Sequence, residues 1–116
     1  MKHGINMSWS VWMAVPLAVA LFAPAAHAVD ADAAQALAKK NDCLKCHAVD
    51  REKKAPSYKK ISAKYKGKPD GLDKVITNMT TGPKVKLEDG TEEEHKIINS
   101  KDNEAIKNLA SWILAQ

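Results

Sequence analysis

The stretch Cys43-Leu44-Lys45-Cys46-His47 sets two thiols two residues apart, with an imidazole directly behind the second. This is the spacing of a covalent c-type haem attachment site. Two thiols so placed can bond the two vinyl-derived carbons on one porphyrin edge. The histidine that follows then lies under the iron as its fifth ligand. A chain built this way is a redox protein or a haem-ligand binder, and the open question is what stands on the other face of the iron.

Other readings of a Cys-x-x-Cys pair are a thioredoxin-like redox pair, half of a zinc site and a structural disulfide. The redox pair requires a βαβ setting, and no alternation of strands and helices is written here. Zinc would have four ligands in Cys43, Cys46, His47 and His95. However, the adjacency of Cys46 and His47 makes it awkward to turn both side chains onto one tetrahedral ion. Haem is the reading adopted.

Residues 1–28 read as a secretory signal. Lys2 and His3 form a short basic start, Val11 to Ala23 is an apolar run interrupted only by Pro16, and Ala26-His27-Ala28 is a small-residue cleavage site. The run is short for a membrane span of about twenty residues, so export with cleavage is expected, and no membrane association after it. Cleavage after Ala28 removes 28 of the 116 residues and leaves 88, a single small domain spanning 29–116 with a thin core. Trp9, Trp12 and Phe22 leave with the signal, and only Tyr58, Tyr65 and Trp112 remain as aromatics. A chain so poor in bulky side chains gains from a large flat apolar group to fold around.

Charge is uneven. Val29 to Leu87 carries fourteen Lys/Arg against seven Asp/Glu, and Glu88 to Gln116 carries three against seven. Lysines often serve only solubility, but a basic half can also steer an acidic redox partner. Nucleic acid is excluded as a partner for an exported haem protein.

Four helices are predicted. The first runs from about Ala31 into the haem motif, with Ala34, Leu37 and Ala38 on one face. The second follows Pro56, with Tyr58, Ile61 and Tyr65 at helical spacing and Gly67 at its end. Leu72, Val75, Ile76 and Met79 form an i, i+3, i+4, i+7 stripe that stops at Gly82-Pro83, and Ile106, Leu109, Ala110 and Ile113 repeat it behind Asp102 as N-cap. Between these last two, Val85 and Leu87 alternate with lysines before Asp89-Gly90, which fits a short hairpin or an irregular loop.

The mature segment as a whole resembles the small bacterial class I cytochromes c. Beyond Cys43-Leu44-Lys45-Cys46-His47, the likeness rests on Ala55-Pro56 nine residues past His47, on the segment Pro56 to Tyr65, and on Leu109-Ala110-Ser111-Trp112-Ile113-Leu114. Members carry Gly-Pro where this chain has Ala55-Pro56, so the proline is kept and the glycine is not. The resemblance implies an all-α bundle of about four helices wrapped around one covalent haem c, held by Cys43, Cys46 and His47. It also implies a periplasmic home, a Pro56 carbonyl that receives the proximal imidazole N–H, and a Trp112 indole that reaches a haem propionate. Pro56 also suits the first position of a helix, and Trp112 also suits simple core packing.

The family usually offers a distal methionine from the loop before the last helix. Here the one methionine after residue 28, Met79, falls on a helical stripe among aliphatics, the place of a core filler. His95 stands seventeen residues before Trp112, about where the family's ligand methionine stands, and is the only spare histidine after residue 28. The expected distal ligand is therefore His95, with Met79, a lysine such as Lys96, or an open site as alternatives. Imidazole in place of thioether would lower the potential and close both axial positions.

The function so implied is a periplasmic monohaem carrier of single electrons, monomeric and not an enzyme. Redox partners with acidic surfaces would dock weakly at the haem edge, near Lys45, Lys53, Lys54 and Lys59. A gas-binding haem protein and a haem subunit of a larger periplasmic oxidoreductase are the alternatives.

Overall fold

The computed structural model describes Gly4, residues 15–20 and residues 28–116. The expected export signal of residues 1–28 thus lies largely outside the described residues. Among the described residues, no helix is long and apolar enough to cross a membrane.

The described residues fold as an all-α bundle with one small hairpin, as expected, although five helices replace four among them. Helix α1 (Ala31–Lys40) starts on Asp30, whose carboxylate accepts the Ala33 N–H at 3.0 Å. It does not run on into the haem motif. Asn41 ends it, and Asp42 adopts a left-handed conformation at φ 60° before the single turn α2 (Cys43–Cys46). Asn and Asp are suited to this break because their short polar side chains compete for backbone partners and tolerate positive φ.

Helix α3 (Tyr58–Tyr65) is capped by Ser57, whose hydroxyl accepts the Lys60 N–H. Pro56 therefore stands one residue ahead of the cap, outside the helix, and not at its first position. Helix α4 (Gly71–Thr81) stops at Gly82, which takes the left-handed conformation at φ 62°. Strands β1 (Lys84–Lys86) and β2 (Glu92–Glu94) then pair antiparallel, with Lys84 opposite Glu94 and Lys86 opposite Glu92. Opposite charges at facing positions favour this register. Asp89-Gly90 makes the turn, with Gly90 at φ 85° and the Asp89 carboxylate accepting from both the Thr91 N–H and hydroxyl. Helix α5 (Asn103–Leu114) begins on Asp102, which accepts the Ala105 N–H.

Helix α5 is the centre of the packing and touches α1, α3 and α4. Its stripe of Ile106, Leu109, Ala110 and Ile113 is buried, as the spacing required, and Ala34 and Ala38 on α1 are buried with it. Small side chains at that crossing let the two helices approach closely. Polar ties fix the arrangement. The Asn108 side chain bonds both the N–H and the carbonyl of Asp30, and the buried Ser62 hydroxyl donates to the Leu114 carbonyl at 2.7 Å. This packing leaves one side of α5, with α3, α4 and the hairpin, facing a common cavity.

The first residue of α4 has no room for a side chain, because a Cβ on Gly71 would overlap the Tyr65 carbonyl oxygen. Alanine ordinarily strengthens a helix relative to glycine. At this position Gly71→Ala should instead cost about 1–3 kcal/mol, the usual range for overpacking, measured as a lowered denaturation midpoint of the haem-loaded protein.

Candidate functional site

Cys43 and Cys46 sit three apart on the single turn α2, so both thiols leave the chain on the same side. His47 then turns extended, at φ −108° and ψ 148°. The motif's helical turn and its extended exit together let three side chains meet one group. The Ala55 N–H donates to the Cys46 carbonyl, and the N–H groups of Tyr58 and Lys59 donate to the carbonyls of Ala48 and Val49. The loop after the motif is thereby folded back on itself, which delivers Pro56 to His47.

His47 Nδ1 lies 2.6 Å from the Pro56 carbonyl oxygen. A carbonyl only accepts, so Nδ1 carries the proton and Nε2 is left with its lone pair. The ring stacks on Tyr58, with centroids 5.2 Å apart and planes within 20°. Burial lowers the pKa of His47, with the Pro56 carbonyl pulling the other way and His95 adding to the lowering. Burial dominates and keeps the imidazole neutral, the form a metal needs.

His95 reaches the same place from the other side. It follows β2, and its N–H donates to the Pro83 carbonyl at 2.8 Å, which pins it to the foot of the hairpin. Its Nδ1 lies 2.9 Å from the Lys96 carbonyl, so here too Nδ1 holds the proton and Nε2 is free. The His47 and His95 rings stand 6.2 Å apart between centroids, tilted by 46°. Two imidazoles on opposite sides of one metal ion, each at about 2 Å with its ring centre roughly 1 Å further out, would have centres about 6 Å apart.

The cavity that holds both rings has a volume of about 480 Å³, with Cys43, Val75, Val85, Leu87 and Leu109 among its apolar walls. That lies within the range of about 300–1,000 Å³ for ligand and cofactor sites. The donor set fits haem c: two thiols on one edge, a tethered neutral imidazole below and an apolar slot between. When bound, haem supplies a one-electron ferric/ferrous couple. Cys43 and Cys46 would anchor it, and the Pro56 carbonyl would fix which His47 nitrogen is offered to it.

Met79 is 6 % exposed and belongs to the core of α4, although it also touches the cavity. Trp112 is buried edge-on against Tyr58, with centroids 5.5 Å apart, one layer behind the cavity. Among the described residues, no three His, Cys, Asp or Glu side chains converge as a metal-holding group, so Cys43, Cys46, His47 and His95 do not gather as a tetrahedral zinc site. The two cysteines are not bridged. Burial pushes the Cys43 thiol up, the opposite of the activated thiolate in a redox-exchange pair.

The lysines expected to rim the haem edge are mostly engaged. Lys45 pairs with Asp42 at 3.0 Å, Lys54 with Glu93 at 3.0 Å, and Lys53 donates to the Leu44 carbonyl. Tyr58 as a partner of His47, and Val85 and Leu87 as cavity walls, join the residues expected at the site. The alternation of those two aliphatics with lysines was the available signal.

Comparison with known proteins finds relatives along most of the chain. The family profile for cytochrome c matches residues 31–116. Cytochrome c-552 of Nitrosomonas europaea is 33 % identical over 105 residues, covering 90 % of this chain and 95 % of that protein. The crystal structure of the class 1 cytochrome MtoD from Sideroxydans lithotrophicus ES-1 aligns with a TM-score of 0.73 at 58 % identity, over 76 % of this chain and 97 % of that one. Wild-type Nitrosomonas europaea cytochrome c552 aligns with a TM-score of 0.56 at 30 % identity, over 69 % and 95 %.

A cavity of this size cannot stay open for free. Without haem, water would meet the apolar side chains that line it, and a core this small has little stability to lose. Cys43→Ser/Cys46→Ser, which cannot attach haem, should therefore lose cooperative melting by circular dichroism. A native-like melt in that variant would show that the core stands without its cofactor.

Proposed function

We propose that this chain, which belongs to the cytochrome c family and is a monohaem c-type electron carrier, works in the periplasm with both axial positions of its iron taken by His47 and His95. The observation that carries the ligand set is the 6.2 Å separation of two imidazoles, each with Nδ1 tied to a main-chain carbonyl. Met79 is supported as a packing residue by its place in the buried stripe of α4. With imidazole on both faces, no axial position is left for a substrate, which favours a carrier over an enzyme. The potential is then lower than in relatives with a thioether ligand.

Residues 1–28 are the export signal in this reading, and residues 29–116 form the working domain, a monomer. Export is supported by the basic start, the apolar run and the small-residue site before Val29. The partners are larger redox proteins with acidic docking surfaces. The basic excess of Val29 to Leu87 supports this, with self-paired Lys45 and Lys54 contributing less than their number suggests. Contact with them is brief, since a shuttle must leave as readily as it arrives.

Two measurements test this reading. Intact mass of protein recovered from the periplasm should equal the 88-residue chain plus one haem; a full-length chain would refute cleavage after Ala28. Ferric protein should be low-spin and without the near-infrared band of sulfur-to-iron ligation. His95→Ala should convert the iron to high spin or admit another ligand and shift the potential. Met79→Leu should leave the spectrum unchanged and cost under about 1.5 kcal/mol, as near-isosteric swaps do. The opposite outcome for the two variants would restore methionine as the ligand.

A further inference from the structure

We propose that Lys54 is a positioning residue for the distal imidazole, clasping the loop that leads to Pro56 onto the hairpin that ends at His95. This rests on His95 as the distal ligand.

The two segments lie on opposite sides of the cavity. Ala55 and Pro56 line it from the His47 side, and Val85, Leu87 and His95 line it from the hairpin. Lys54 joins them twice. Its ammonium donates to the Glu93 carboxylate at 3.0 Å, and its carbonyl accepts the Glu88 N–H at 3.1 Å. Lys60 adds a third tie, placed between Glu52 of the loop and Glu88 of the hairpin, 3.8 Å from the latter. Because the Ala55 N–H donates to the Cys46 carbonyl, a continuous path of bonds runs from the haem motif through Lys54 to Glu93, two residues before His95.

Past His95 the chain is tied down again, by Lys96 paired with Asp42 at 3.4 Å and by the Ile98 N–H donating to the Met79 carbonyl, so Lys54 holds the side of the hairpin that precedes His95. The hairpin's strands are three residues each, its four glutamates are exposed, and Leu87 is its one buried side chain. A two-stranded ribbon is marginal by itself. Its attachment to the rest of the molecule therefore governs how often His95 swings away from the iron. An exposed ion pair adds little to global stability, but here it acts on a local opening whose own cost is small.

The test uses haem-loaded ferric protein and cyanide, which binds iron only when the distal ligand leaves. Binding rates are compared for the unaltered protein, Lys54→Gln, Glu93→Gln, Lys54→Arg, the exchange Lys54→Glu/Glu93→Lys, and His95→Ala. At low salt, Lys54→Gln and Glu93→Gln should bind cyanide about two- to fivefold faster, the range an exposed ion pair supports. Lys54→Arg and the charge exchange should return to the unaltered rate. High salt should bring the unaltered protein toward the glutamine variants. If the glutamine variants keep the unaltered rate while His95→Ala binds much faster, the clasp is refuted and the ligand stands. If His95→Ala also keeps the unaltered rate, there is no distal imidazole to displace, and both readings fall.

Discussion

Cys43, Cys46 and His47 must present two thiols and an imidazole to one flat group, and a polypeptide has few ways to do so. One helical turn brings residues three apart to the same side, and an extended residue after it lets the imidazole project past the turn. The break at Asn41-Asp42 serves this demand. It frees the motif from the direction of α1, so that α2 can tilt as the thiols require. The return of the following loop onto Cys46, Ala48 and Val49 then brings the Pro56 carbonyl to His47. Helix α3 starts where that loop ends, and α5 closes the cavity from behind.

Much of this was legible because it is periodic or locally capped. The stripes of α4 and α5, the Asp102 cap, the Gly82 stop and the Asp89-Gly90 turn all follow from short-range rules that a sequence displays directly. The interruption of the first helix was not, since Ala34, Leu37 and Ala38 keep helical spacing up to it and an Asn-Asp pair is compatible with a helix as well as with a break. The cap of α3 was missed for a related reason. Proline is a strong start signal and drew attention from Ser57, which does the capping while Pro56 serves His47.

The candidate site was legible in the two imidazoles proposed as ligands and less so in its surroundings. Thiol spacing and the scarcity of histidine pointed to His47 and His95, and the fold brings their rings to 6.2 Å. Trp112 illustrates the limit. A tryptophan near the chain's end reads equally as core or as a contact to the cofactor, and only packing shows it against Tyr58. The lysines were similarly ambiguous. A count of charges shows neither the local i, i+3 pairing of Asp42 with Lys45 nor that of Lys54 with Glu93, thirty-nine residues away.

The hydrogen bonds from both Nδ1 atoms to main-chain carbonyls carry a consequence for speed. An electron passes quickly when the nuclei around it scarcely have to move between the two oxidation states. A ring tied at one nitrogen to the backbone cannot rock or slide when charge at its other nitrogen changes, and the dipole it faces is already aligned. With the ligand set proposed above, inner-sphere reorganisation is therefore small on both faces of the iron. The slow part of exchange then lies in the water and side chains at the haem edge, where an approaching partner displaces them.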